Sequence, residues 1–271
     1  MAAEKEQDDL DETSIGLRAE LGPGGRLRQR ELPMEEADYP RFQRLTFYSV
    51  LAGLCPLLPV AFLDDWIVVK VQRGMIEELG KSRDLGLSDA EVRLLSGEGE
   101  ARIWPGLAKG SGMALRSGLR TVLRKIFKTA FYLLLIRDGV HQAVETFVQG
   151  YLFLHAAGLP QGLRSAGRTE ERVRAVRTAV VETLREEDVK PIHRAMTRAF
   201  RRSFDLLLEG AKLLVRLRSA ERASEGEALR QEERLLSGFV DRLAASLWGN
   251  EKYFEGLEKS FEERLARPSP R

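Results

Sequence analysis

Nineteen consecutive residues, Leu45–Leu63, carry no charge. A run of that kind must leave water, either into a protein core or into lipid. As one helix it would measure roughly 28 Å, close to the hydrocarbon thickness of a bilayer. Arg41 and Arg44 precede it, and Asp64 and Asp65 follow it. If it spanned, that asymmetry would leave the preceding chain in the cytoplasm. Pro56 and Pro59 argue against a single span, because each lacks an N–H and restricts the residue before it. Thr46, Tyr48 and Ser49 add polar groups inside the run. The next apolar stretch, Thr129–Leu159, is interrupted by Arg137, Asp138, His141 and Glu145. A helical hairpin folded back at the prolines fits better. A buried core hairpin ranks first, an interfacial or re-entrant one second, and a true span third.

The rest of the chain reads as helix. Apolar residues after residue 37 recur at three and four, and no alternating run is bounded by Asn-Gly or Asp-Gly turns. The first expected helix runs from Pro40 to Leu54, with Pro40 in its first turn. The second runs from Ala61 to Lys81, and its dipole favours Asp64 and Asp65 near its start. Ser88-Asp89-Ala90-Glu91 is a capping box opening a short third helix that Gly97 and Gly99 close. A long segment over 111–157 is expected to break near Asp138-Gly139. Further helices are expected over 169–187, 191–219, 227–248 and 250–266, with Ser219–Gly226 as a polar linker and Asn250 as an N-cap. The fold class is therefore all-α, a multi-helix bundle with a Pro-broken apolar hairpin. Three regions are expected: an acidic leader over 1–36, the hairpin plus a basic helix over 37–160, and amphipathic helices over 161–271 packing on the same bundle.

Charge is segregated although the chain carries only +2 overall. Residues 1–40 hold 5 basic and 11 acidic residues, and include Gly22–Gly25 but few large apolar ones. That composition predicts a disordered acidic leader. It also predicts no secretory signal, since the start is acidic and the first apolar run begins only near Leu45. Residues 111–137 hold 6 basic residues and no acidic one, and residues 164–202 hold 11 basic against 6 acidic. Arg116, Arg120, Arg124 and Lys128 are four apart, so they form a broad stripe on one helical face, joined by Lys125. Like charges at that spacing repel, and something should neutralise them. Anionic lipid headgroups suit a basic amphipathic helix. Acidic residues elsewhere in the chain are the alternative. Nucleic acid ranks last, although Arg116–Lys128 and Arg194–Arg202 could contact phosphates, because no recognition motif accompanies them. The bias to 33 Arg over 10 Lys usually follows a GC-rich genome and points to a bacterial source.

No catalytic constellation emerges. One cysteine, Cys55, rules out an internal disulfide framework, and three scattered histidines give no metal cluster. There is no phosphate-binding glycine loop, no His-Glu-x-x-His and no Gly-x-Ser-x-Gly. Cys55, followed by a proline in an apolar run, reads as an inert buried thiol. Asp64 and Asp65 point about 100° apart on a helix and cannot easily share a proton. His141 and Glu145 are four apart, which allows a hydrogen bond or half a metal site. His155, Trp66, Trp104 and Trp248 read as core or interface residues.

Leu57 to Asp65, then Val71 to Gly80, then Leu87-Ser88 and Leu94-Leu95 stand in an order that resembles the helical domains beside bacterial small GTPases and, more loosely, the EcsC-like proteins. Pro59, Asp64, Gln72 and Met75 are the matching positions. The resemblance covers about 40 residues, residues 57–96. It implies peripheral membrane association in the cytoplasm and supplies no catalytic residue or cofactor. Ala61 stands where a second proline would be expected. The combined reading is a non-enzymatic module at an anionic membrane surface or on a partner protein, in the cytoplasm and peripheral on the inner membrane, with Arg116, Arg120, Arg124, Lys125 and Lys128 as the binding residues. A homo-oligomer stays open. The alternatives are a soluble helical ligand-binding protein or enzyme with a site near Asp64 and His141, and a non-specific nucleic-acid-associated factor.

Overall fold

The computed structural model describes residues 38–57, 63–98, 128–159, 162–163, 168–219 and 222–267. These lie within one compact unit, Pro33–Arg271, and every regular element among them is helical. The leader over 1–36 lies outside the described residues.

Helix α1 spans Tyr39–Leu54, with Pro40 in its first turn, and runs into a 3-10 turn at Cys55–Leu57. The described part of the uncharged run, residues 45–57, lies in the core: Leu45, Val50, Ala52, Leu54 and Cys55 are fully buried. Its polar members are satisfied locally. Thr46 Oγ1 donates to the Phe42 carbonyl at 2.8 Å, and Ser49 Oγ donates to the Leu45 carbonyl at 2.7 Å. A buried hydroxyl without such a partner would be destabilising. Helix α2 spans Leu63–Ser82 and packs on α1. Tyr48 Oη donates to Glu78 at 2.5 Å, and Arg44 bridges Glu78 on α2 to Glu233. The turn that would join the two helices, with Pro59, lies outside the described residues.

Helix α3, Asp89–Ser96, carries the expected capping box: Ser88 accepts from the Glu91 amide, and Glu91 accepts from the Ser88 amide. Gly97 ends it in the left-handed region, with φ 73°. Helix α4, Lys128–Gly158, runs antiparallel to α1. Phe42 meets Phe147, Leu45 lies under Gly150, and Gly53 meets Gly139. The expected break at Asp138-Gly139 is absent. A Cβ built on Gly139 would sit 2.5 Å from the Gly53 carbonyl oxygen, and one on Gly53 would sit 2.8 Å from the Gly139 carbonyl oxygen. Gly139 is there because two helix backbones nearly touch, and not to end a helix.

Helix α5, Glu170–Glu186, is capped by Thr169, whose Oγ1 accepts from the Arg172 amide at 3.3 Å. The helix expected over 191–219 is two. Helix α6, Lys190–Arg202, ends at Ser203, and α7, Phe204–Ser219, follows. Ser203 takes φ −121° and ψ 26°, off the helical region. Helix α8, Arg222–Trp248, starts inside the stretch expected to be a linker. Helix α9, Glu251–Leu265, closes the bundle. Asn250 holds the N-cap position, and its carbonyl accepts from the Tyr253 and Phe254 amides, but its side chain makes no cap bond to α9. Its Nδ2 instead donates to the Ser246 and Leu247 carbonyls at the end of α8.

One continuous core joins these helices. Phe42, Phe147, Tyr151 and Phe254 form an aromatic cluster where α1, α4 and α9 meet. Phe200 on α6 packs edge-on against Phe239 on α8. No helix among the described residues is long and apolar enough to cross a membrane.

Candidate anionic-surface interface

Arg116, Arg120, Arg124 and Lys125 lie outside the described residues, as does Pro59. Lys128 opens α4, and Asp64 lies in the first turn of α2. Gln72 and Met75 serve the core. Gln72 Nε2 donates to Thr146 Oγ1 at 3.3 Å, tying α2 to α4, and Met75 is fully buried beside Gly150. Asp64 lies near the start of α2 and His141 within α4, and among the described residues no group of three or more His, Cys, Asp or Glu side chains could hold a metal ion.

A basic face does exist, on α6. Ile192, Ala195, Met196 and Phe200 are buried and bind the helix to the bundle. Lys190, Arg194, Arg198, Arg201 and Arg202 are exposed on the other side. At 100° per residue the first four fall within a sector of about 80°, with Arg202 at its edge. They span about 18 Å of helix axis. The helix contains no acidic residue. Lys190 pairs with Asp188 at 3.0 Å. Arg194 lowers the pKa of Asp188 only from a distance, after the Lys190 contacts. Among the described residues, Arg194, Arg198, Arg201 and Arg202 make no ion pair, whereas most other described arginines are bonded to a carboxylate or a carbonyl. The charge excess of residues 164–202 was visible in the sequence. That these four cations are exposed and make no ion pair among the described residues required the fold.

Two residues border this face. His193 and Thr197 lie between the buried side of α6 and its arginine side. The His193 ring meets His141 of α4, with centroids 4.9 Å apart and planes at 53°. Thr197 Oγ1 is 3.4 Å from His193 Nδ1, while Nε2 is buried with no hydrogen-bond partner. Burial holds both imidazoles below their ordinary pKa. Arg137 adds to this at His141 while Asp138 opposes it, and His141 adds to it at His193.

The other polar clusters are structural. Arg168 is bidentate on Glu91 and also donates to the Leu85, Leu163 and Gly86 carbonyls, pinning the turn between α2 and α3. Its hydrogen bond holds the Glu91 carboxyl down at about 2, with the Ser88 amide helping and burial opposing. His155 sits between Glu258 at 3.3 Å and Glu262 at 2.8 Å, and Tyr151 donates to Glu258 at 2.6 Å. Cys55 is buried, its Sγ 3.5 Å from the Leu51 carbonyl.

No family model matches the chain, and comparison with curated proteins and with solved structures finds no match either. The resemblance to GTPase-associated and EcsC-like helical domains rests on the residues quoted for it.

Proposed function

We propose that this protein is a non-enzymatic docking module that binds phosphate-bearing anionic membrane surfaces through the arginine face of α6. The observation that carries the reading is the row of four exposed arginines, without an ion pair among the described residues, on a helix that contains no acidic residue. Like charges repel at that spacing, so the row is destabilising unless an external anion neutralises it. Guanidinium forks fit phosphate oxygens two at a time, better than an ammonium does. The apolar side of α6 belongs to the core, so attachment is electrostatic and peripheral, without insertion. Cytoplasmic residence at the inner leaflet follows from this reading.

Each arginine at an anionic bilayer contributes about 1 kcal/mol, so four give about 4 kcal/mol, or roughly a thousandfold in partitioning. Co-sedimentation with vesicles rich in phosphatidylglycerol, against pure phosphatidylcholine, tests this. The expected result is binding to the first alone, reversed by salt. Reversing two charges, Arg198→Glu with Arg201→Glu, should lower partitioning by at least a hundredfold. Equal sedimentation of the reversed variant would overturn the reading. So would binding to duplex DNA with no binding to vesicles, which would make the face a phosphodiester-backbone contact instead.

A further inference from the structure

We infer that Arg194, Thr197, Arg198 and Arg201 form one cradle for a phosphomonoester lipid headgroup, so that the α6 face prefers a terminal phosphate to the phosphodiester of ordinary anionic lipid. This rests on the docking reading above and names the headgroup class that the same face selects. The four residues stand at i, i+3, i+4 and i+7 on α6, the spacing of neighbours on one helical face. They cover about 100° around the axis and about 10 Å along it. The three arginines are exposed, and Thr197 is half-buried on their inner edge. Thr197 Oγ1 lies 3.4 Å from His193 Nδ1. When that nitrogen carries the ring proton it donates to the oxygen, and the hydroxyl proton is left to turn towards the arginines.

The neighbouring charges leave this group as the centre of the face. Lys190 is held by Asp188, which accepts from both its amide and its ammonium at 3.0 Å. Arg202 lies about 40° beyond Arg198 around the axis. At the other end, Asp205 in the first turn of α7 is exposed and forms no ion pair with the four, and Glu209 of α7 pairs with Lys212. Three guanidinium groups this close repel one another, and a singly charged phosphodiester offsets only part of that repulsion. A phosphomonoester near neutral pH brings about 1.5 to 2 negative charges and three terminal oxygens. Three guanidinium forks and a hydroxyl therefore find more acceptors on the monoester, in charge-assisted hydrogen bonds that an ammonium forms less well.

The test is partitioning of the full chain onto phosphatidylcholine vesicles doped with phosphatidic acid or with phosphatidylglycerol. The two are matched in zeta potential at about pH 7.5, above the second phosphate pKa near 6. The wild type should bind the phosphatidic acid vesicles about tenfold more tightly. Arg194→Lys with Arg198→Lys and Arg201→Lys keeps the charge and removes the forks. It should bind phosphatidylglycerol like the wild type and lose most of the preference. Thr197→Val should lower the preference about threefold with phosphatidylglycerol binding unchanged. If Thr197→Val fails to fold, judged by circular dichroism, the lysine variant decides alone. Equal binding of the wild type to the two vesicles overturns the cradle and leaves docking intact. So does an undiminished preference in the folded lysine variant. Displacement by glycerol phosphate at the same monoester concentration would make the ligand a soluble phosphomonoester and overturn the headgroup assignment. No binding of the wild type to either vesicle overturns both readings.

Discussion

Gly97 and Gly86 hold backbone conformations that other residues resist, yet they should respond differently to a side chain. Both lie at positive φ, 73° and 54°. A Cβ on Gly86 would meet nothing within 4 Å, whereas one on Gly97 would fall on the Arg177 guanidinium. Gly86→Ala should therefore lose only the left-handed backbone term, about 1 kcal/mol. Gly97→Ala adds displacement of a buried arginine whose Nη1 donates to the Leu95 carbonyl at 3.4 Å. It should cost about 3 kcal/mol in urea denaturation. Equal losses for the two would mean that Arg177 gives way freely. The glycine closing α3 was readable from sequence, because capping is local: Ser88, Glu91 and Gly97 lie within ten residues of one another. The guanidinium beside it was not, because Arg177 arrives from α5.

Helix α9 owes part of its attachment to one imidazole. His155 on α4 reaches Glu258 and Glu262 on α9, while Arg264 of α9 reaches Glu186 and Glu187 of α5. Burial works to lower the His155 pKa, but the two glutamates outweigh it and the value is raised. A group with a raised folded pKa stabilises fully below its unfolded pKa, near 6.5, and its contribution is lost as pH rises through the folded value. Stability should therefore decline as pH rises above about 6.5. His155→Gln should flatten that decline, measured as the urea midpoint against pH. An unchanged profile in the variant would assign the decline to other groups. Element boundaries were readable where the signal was local and missed where it was not. Phe200, Phe204, Leu207 and Leu208 keep helical spacing across Ser203, so the break between α6 and α7 leaves no mark in the apolar pattern. Arg222–Gly226 is polar enough to pass for a linker, yet it is the first turn of α8.

The described bundle is built around α1, which packs on α2, α4, α7 and α8. It meets α4 backbone to backbone at Gly53 and Gly139, with Phe200 of α6 against both. Gly139→Ala would drive a methyl into a carbonyl of the facing helix and should lower global stability by about 3 kcal/mol or more. Circular dichroism and tryptophan fluorescence should still report one coincident transition. Separate transitions would show that the bundle is not a single cooperative unit. The all-helical class followed from spacing alone, since periodicity is written into each segment. The arginine face did not, because composition can count cations but cannot say which of them find carboxylates. Synthesis adds a consequence of the antiparallel pair of α1 and α4. The ribosome makes Gly53 long before its neighbour Gly139, 139 − 53 = 86 residues later. At about 5–20 residues per second, the uncharged run waits roughly 4–17 s for the helix that covers it. During that interval the nascent chain carries an uncharged run whose residues Leu45, Val50, Ala52, Leu54 and Cys55 are fully buried only once the later helices are in place.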